Sequence, residues 1–270
     1  MKARRFFALL LIAVIALGLA GCGHSFESAA ARAAKELAGV DSVHADLNFD
    51  LALTVSYLEE SADFDIGLTV SMDTSGELTS GELSMDMLGV PISAPFVVQK
   101  QGESYDLYMS IDGGETWVSQ TGLSASELES DAGLGLNPDA GYMLGFYLEA
   151  ASSFGDPVEE TVNGVECRRY DGLLPGSRLL EAMSVSGGSA YAEVPEGTVL
   201  SDAPMSIWFA KSGGLPVRVH VDMTDAMGEY MTGAMESGGL PADFMTVSAV
   251  SITADFADFG TAQPMQPPEL

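Results

Sequence analysis

The sequence predicts an α+β protein built on one large, curved antiparallel sheet with helices against its concave face. Three observations carry this. Apolar and polar residues alternate in consecutive runs, the longest of about a dozen residues or more. Gly, Asn and Asp turn residues separate the runs. Helical patterns occur only near the start, in the middle and near the end, so no βαβ rhythm appears. Strands this long exceed the usual length of about 5–6 residues. A long, strongly twisted sheet curls, and helices or a ligand must fill its inner face.

The chain opens on a leader. Lys2, Arg4 and Arg5 precede Phe6–Ala20, an unbroken run of fifteen apolar or small residues. A spanning helix needs about 20, so the charged start and short apolar stretch read as an export signal. Leu19-Ala20-Gly21-Cys22 follows. This resembles the lipobox of bacterial lipoproteins. The resemblance implies that residues 1–21 are a signal peptide cleaved before Cys22, and that the Cys22 sulfur receives diacylglycerol. Two acyl chains attach a protein stably, where one gives only marginal binding. The chain is therefore expected outside the cytoplasm, lipid-anchored to the bacterial cell membrane. Residues 22–28 read as a tether, 29–260 as the folded domain and 261–270 as a flexible Pro-rich tail.

Ala29–Ala38, rich in Ala with Arg32, Lys35, Glu36 and Leu37, favours a helix, closed by Gly39. From Val43 to Tyr57 the period becomes two. Val43, Ala45, Leu47, Phe49, Leu51, Leu53, Val55 and Tyr57 share one face, opposite His44, Asp46, Asn48, Asp50, Ala52, Thr54 and Ser56. Phe64, Ile66, Leu68, Val70 and Met72 extend the apolar face in a second strand, before a turn at Asp73–Gly76. Leu83, Met85 and Met87 mark a third. Shorter strands are expected over 96–100, 105–111 and 116–119, with Asp112-Gly113-Gly114 between the last two. Asn137, Pro138 and Asp139 suit the N-cap and first turn of a middle helix. Asn163-Gly164, between Val158–Thr161 and Val165–Tyr170, is the strongest short hairpin signal. A helix at 175–183, a Gly/Ser/Pro-rich loop at 184–203, a hairpin of 205–211 with 217–223, a helix at 226–236 and a strand at 244–256 complete the order.

Apolar residues form 47% of the chain, ample for a core. The leader holds three of the 11 Lys and Arg and none of the 39 Asp and Glu, so the remainder carries 8 against 39, a formal charge of −31. A surface this acidic argues against nucleic acid as a partner and is repelled by anionic headgroups. With Cys22 assigned to lipid, counting excludes a disulfide framework. Cys167 reads as a small buried hydrophobe rather than a reactive thiol.

Two further segments carry a family resemblance: VNGVECRRYDG at 162–172 and MSIWFAKSGGLPVRVHVDM at 205–223. With the lipobox and the N-terminal helix, they resemble the LolA/LppX superfamily of extracytoplasmic lipid and lipoprotein carriers. The resemblance covers roughly residues 29–259. It implies an unclosed half-barrel covered by helices, with acyl chains lying between sheet and helices. The Gly/Ser-rich segment at 184–203 and the acidity depart from it.

Met227, Met231 and Met235 recur every four residues, so on a helix they line one face, with Met223 one step earlier. Flexible thioethers suit an adaptable apolar surface. The face reads either as a lid contacting acyl chains or as core packing. Thioethers are also soft Cu(I) ligands, but no His or Cys joins them. Met143, Phe146, Tyr147 and Trp208 are further candidates for lining the concavity, though large aromatics serve equally in plain core. Asp46, Asn48 and Asp50 spell D-x-N-x-D, yet Leu51 and Tyr57 stand where a calcium loop needs Gly and Glu. His24, His44 and His220 lie apart, and no G-x-S-x-G, H-E-x-x-H or phosphate loop occurs. No metal, cofactor or enzymatic activity is expected.

Two functions of different classes follow. In one, a membrane-anchored lipoprotein binds a lipid or other apolar ligand in the concave face of its sheet. In the other, a sensory or scaffolding envelope lipoprotein has a packed core and binds other proteins. They differ in whether the inner face of the sheet is closed by its own side chains.

Overall fold

The computed structural model describes residues 25–57, 60–87, 90–110, 112–130, 140–185, 199–241 and 243–269. The expected leader, Cys22, the Asn137 N-cap and residues 186–198 of the expected loop lie outside these. Among the described residues, eleven strands form one antiparallel sheet: β1 (Ser42–Tyr57), β2 (Glu60–Ser75), β3 (Leu78–Met87), β4 (Val90–Gln101), β5 (Ser104–Met109), β6 (Val118–Leu123), β7 (Val158–Val162), β8 (Val165–Leu174), β9 (Ala203–Ala210), β10 (Pro216–Asp222) and β11 (Met245–Ala257). Their order is β6-β5-β4-β3-β2-β1-β11-β10-β9-β8-β7. Two edges remain, so the sheet is an unclosed half-barrel. It consists of two meanders, β1 to β6 and β7 to β11, joined where β1 pairs with β11.

The helices among the described residues are α1 (Phe26–Leu37), α2 (Ala125–Ser130), α3 (Ala140–Ala150), α4 (Gly176–Val185) and α5 (Thr224–Ser237). Side chains from all five join inner-face sheet residues in one apolar cluster. The class is α+β with helices on the concave face, as the alternation predicts.

Several boundaries differ from expectation for physical reasons. Helix α1 begins at Phe26, not at 29, because Ser25 caps it: the Ser25 hydroxyl accepts the Ser28 N–H at 3.3 Å. Phe26 then stacks on Phe154 with ring centroids 3.5 Å apart. Strand β2 runs through Asp73 to Ser75, and the reversal falls on Gly76-Glu77, where Gly76 takes φ +63°. Strand β4 begins at Val90 despite Pro91 and Pro95. Pairing with β5 starts only at Phe96. Before it only the Pro95 carbonyl bonds on that side, accepting the Ser110 N–H at 3.0 Å. Residues 90–94 therefore have a ladder on the β3 side alone, where proline is tolerated. Residues 261–269 carry no regular structure but lie against the domain: Ala262 is buried, and the Met265 N–H donates to the Ser80 hydroxyl at 2.7 Å.

Candidate functional site

The inner face of the sheet divides along its length. On β1, Val43, Ala45 and Leu47 are buried, whereas Phe49, Leu51, Leu53 and Val55 are half-buried. The β2 partners follow suit: Met72 and Val70 are buried, Leu68 and Phe64 half-buried, and Ile66 is 38% exposed. Beyond them Leu83 and Met85 of β3 are half-buried, and Ile92 of β4, opposite Met85, is 38% exposed. On the other side of β1, Ile252 and Val250 are buried and Val247 is half-buried. This partly open apolar face spans five strands and the seven residues 49–55 of β1. Strand spacing and rise make its footprint roughly 20 Å by 20 Å.

The other half of the inner face is closed. Phe26 of α1 meets Tyr170 and Phe209 at centroid distances of 5.9 and 6.0 Å, and those two rings meet at 5.7 Å. Met143, Phe146 and Tyr147 of α3 sit in the same core with at most 5% exposed. They pack as core, beside Leu144.

Of the α5 methionines, Met227 is buried in that core, while Met231 and Met235 are half-buried. Met223, at the helix N-cap, is fully buried. The helix packs on β11, whose Val247 lines the partly open face. Met231 and Met235 thus lie half-buried on the helix that packs on β11, and Met227 lies in the closed part.

Trp208 is not with them. It lies on the opposite face of the sheet with Val162, Cys167 and Val217. Its indole N–H donates to Glu160, and the Arg169 guanidinium lies 6.0 Å from its ring centroid. The reason is period two: Met205, Ile207 and Phe209 point into the core, so Trp208 between them points out. Cys167 is fully buried there, and burial pushes its thiol pKa up, which leaves it an inert hydrophobe.

Away from that cluster the outer face carries polar pairs. Arg218 forms a bidentate pair with Asp255, at 2.7 and 2.8 Å. His44 is held between Asp73 and Asp46, at 2.8 and 3.3 Å, and Asn48 accepts from Thr69 at 3.0 Å. Among the described residues no group of three or more His, Cys, Asp or Glu side chains is placed to hold a metal ion, and no helix is long and apolar enough to cross a membrane.

Among the described residues, clefts open between helices and sheet. One, of about 340 Å³, lies beside α5 and is lined by Asp202, Asp225, Glu229 and Val247 among others. The second, of about 70 Å³, lies under α1 and is lined by Arg32, Arg168 and Lys211 around Tyr170 and Phe209.

No protein-family model matches this chain, and no curated protein matches it. Solved structures resemble it at low identity. The lipoprotein LppX of Mycobacterium tuberculosis is 16% identical over 88% of this chain and 96% of that one, with a TM-score of 0.45. LprF from Mycobacterium bovis is 13% identical over 91% of this chain and 98% of that one, with a TM-score of 0.46. At these values the likeness transfers no residue role, ligand or partner to this chain.

Proposed function

We propose that this protein is a membrane-anchored extracytoplasmic lipoprotein that binds a lipid or other apolar ligand in the concave face of its sheet, without catalysis. One observation carries the reading. The apolar inner face of β1–β4 and β11 continues past the helices that cover it, leaving Ile66 and Ile92 each 38% exposed. A sheet that needed only a stable core would gain nothing from apolar residues there. The ligand seats over Leu51, Ile66, Leu68 and Met85, with Met231 and Met235 of α5 as its flexible border. Cys22, acylated, holds the domain at the bilayer.

A second reading has an observation of its own. The half of the concavity around Phe26, Met143 and Tyr147 is filled by side chains, as in a scaffolding domain that meets other envelope proteins. Native mass spectrometry of the chain purified without detergent, followed by solvent extraction, separates the two. A bound mass that extracts as lipid supports the carrier. A clean apo mass that takes up neither added lipid nor hydrophobic dye supports the scaffold.

A further inference from the structure

The sequence leaves only 8 Lys and Arg after the leader, against 39 acidic residues. Three of those eight, Arg32, Arg168 and Lys211, line the single 70 Å³ cleft under α1. The concentration is local, and local is what matters: at physiological ionic strength exposed charges are screened beyond about 8 Å. The domain's net acidity therefore does not cancel a basic cleft.

The cleft is built. The Arg32 side chain packs directly over Gly214 in the β9–β10 turn: a Cβ there would stand 2.7 Å from Arg32 Nε, so any other residue would displace the guanidinium. Gly214 takes φ +78°, which glycine also allows. No carboxylate among the described residues forms an ion pair with Arg32. Glu159 serves the other two cations at once, at 2.9 Å from Lys211 and 3.8 Å from Arg168, and is itself exposed. The ion pairs at the cleft thus set three cations against one carboxylate. The floor is aromatic, from Tyr170 and Phe209. At about 70 Å³ the cleft is roughly a fifth of the 340 Å³ cleft beside α5, a size that suits a small anionic group. Ser28 also lines the cleft and bonds to Ser25, the N-cap of α1. Only Gly23 and His24 separate Ser25 from Cys22, a reach of at most about 11 Å over the three steps.

We propose that this cleft binds the phosphate of an anionic phospholipid headgroup, docking the tethered end of the domain on the bilayer surface. The inference rests on the anchored reading only for which way the cleft faces. Its test does not need the anchor. The full chain in a non-ionic detergent is titrated with short-chain phosphatidylglycerol, phosphatidylcholine or inorganic phosphate. Amide exchange is followed over 28–32 and 209–214. Phosphatidylglycerol alone slows exchange, Arg32→Gln weakens its apparent affinity about tenfold, as loss of one charge-assisted contact implies, and Lys100→Gln leaves it unchanged. Equal protection by inorganic phosphate overturns the headgroup assignment in favour of a free-anion site. Equal protection by phosphatidylcholine, none from any ligand, or equal weakening by Lys100→Gln overturns the site. The mass of the Cys22 peptide reports acylation separately, so an unmodified Cys22 rejects the anchor without bearing on the cleft.

Discussion

Leu51 and Ile66 stand directly opposite each other across the β1–β2 ladder on the inner face of the sheet, yet Ile66 keeps 38% of its surface exposed. Four residues along, Leu47 and Val70 make the same kind of pair and are buried. One alternation thus builds a closed core at one end and an open apolar wall at the other.

The open wall is separable from stability. Ile66→Asp should abolish most uptake of a fluorescent fatty acid while lowering the urea-unfolding free energy by about 1 kcal/mol or less. Leu47→Ala, in the closed part, should cost about 2–5 kcal/mol. Unchanged uptake by Ile66→Asp would remove the binding surface from this face.

The α5 methionines divide in the same way. Met227→Ala should destabilise by about 2–4 kcal/mol because it leaves a cavity in the core. Met231→Asp should weaken apolar-ligand binding more than it shifts the unfolding midpoint. If Met231→Asp lowers both together, the helix face is core and not border.

His44 links stability to pH. Burial by itself lowers its pKa, but the hydrogen bond with Asp73 and the charge of Asp46 outweigh this, and the net shift is upward from 6.5. The folded state then binds the proton more tightly than the unfolded chain. That stabilisation is fully present below about pH 6.5 and is lost as pH rises through the raised value. Urea midpoints of the native chain and Asp73→Asn, taken from about pH 5.5 to about 8.5, should differ most at the acid end. A gap that widens towards alkaline pH would contradict the pairing.

Gly81 marks a close approach. A Cβ there would press on the Ser71 carbonyl oxygen and stand 2.9 Å from Phe96 Cζ. Gly81→Ala should cost about 1–3 kcal/mol. Gly67→Ala, with nothing within 4 Å of its Cβ, should be neutral or stabilise by up to about 1 kcal/mol. Thermal unfolding of the two variants decides this; equal midpoints would mean that the β2–β3–β4 packing is looser than described.

Local chemistry made much of this legible. The alternation from Val43 to Tyr57 is β1 almost residue for residue. Asn163 and Gly164 take φ +52° and +79°, as a two-residue hairpin turn requires. Helix α2 carried a signal that apolar periodicity passes over. In Ser124-Ala-Ser-Glu127 the Ser124 hydroxyl accepts the Glu127 N–H at 3.2 Å, and the Glu127 carboxylate accepts the Ser124 N–H at 2.8 Å, a capping box. For Trp208 phase decides and size does not: one residue away from Ile207 and Phe209, it faces outward. Which inward-facing residues lie under a helix was not legible. Period two says in or out, but cover depends on where α1, α3 and α5 fall, and that is a tertiary matter. The basic cleft escaped for the same reason: Arg32, Arg168 and Lys211 are far apart in sequence and meet only in the fold.

The seam between β1 and β11 sets the order of assembly. Leu47 pairs with Ala254 across roughly 200 residues, while every other ladder joins strands that are neighbours in the chain. Closing so long a loop costs only about 0.6 kcal/mol per doubling of its length, but non-local pairing is slow to find. Each meander can therefore zip early and wait. Pulse-labelled amide exchange during refolding should find the β2–β3 and β8–β9 amides protected before those of the seam; simultaneous protection would instead mean that the two halves condense as one.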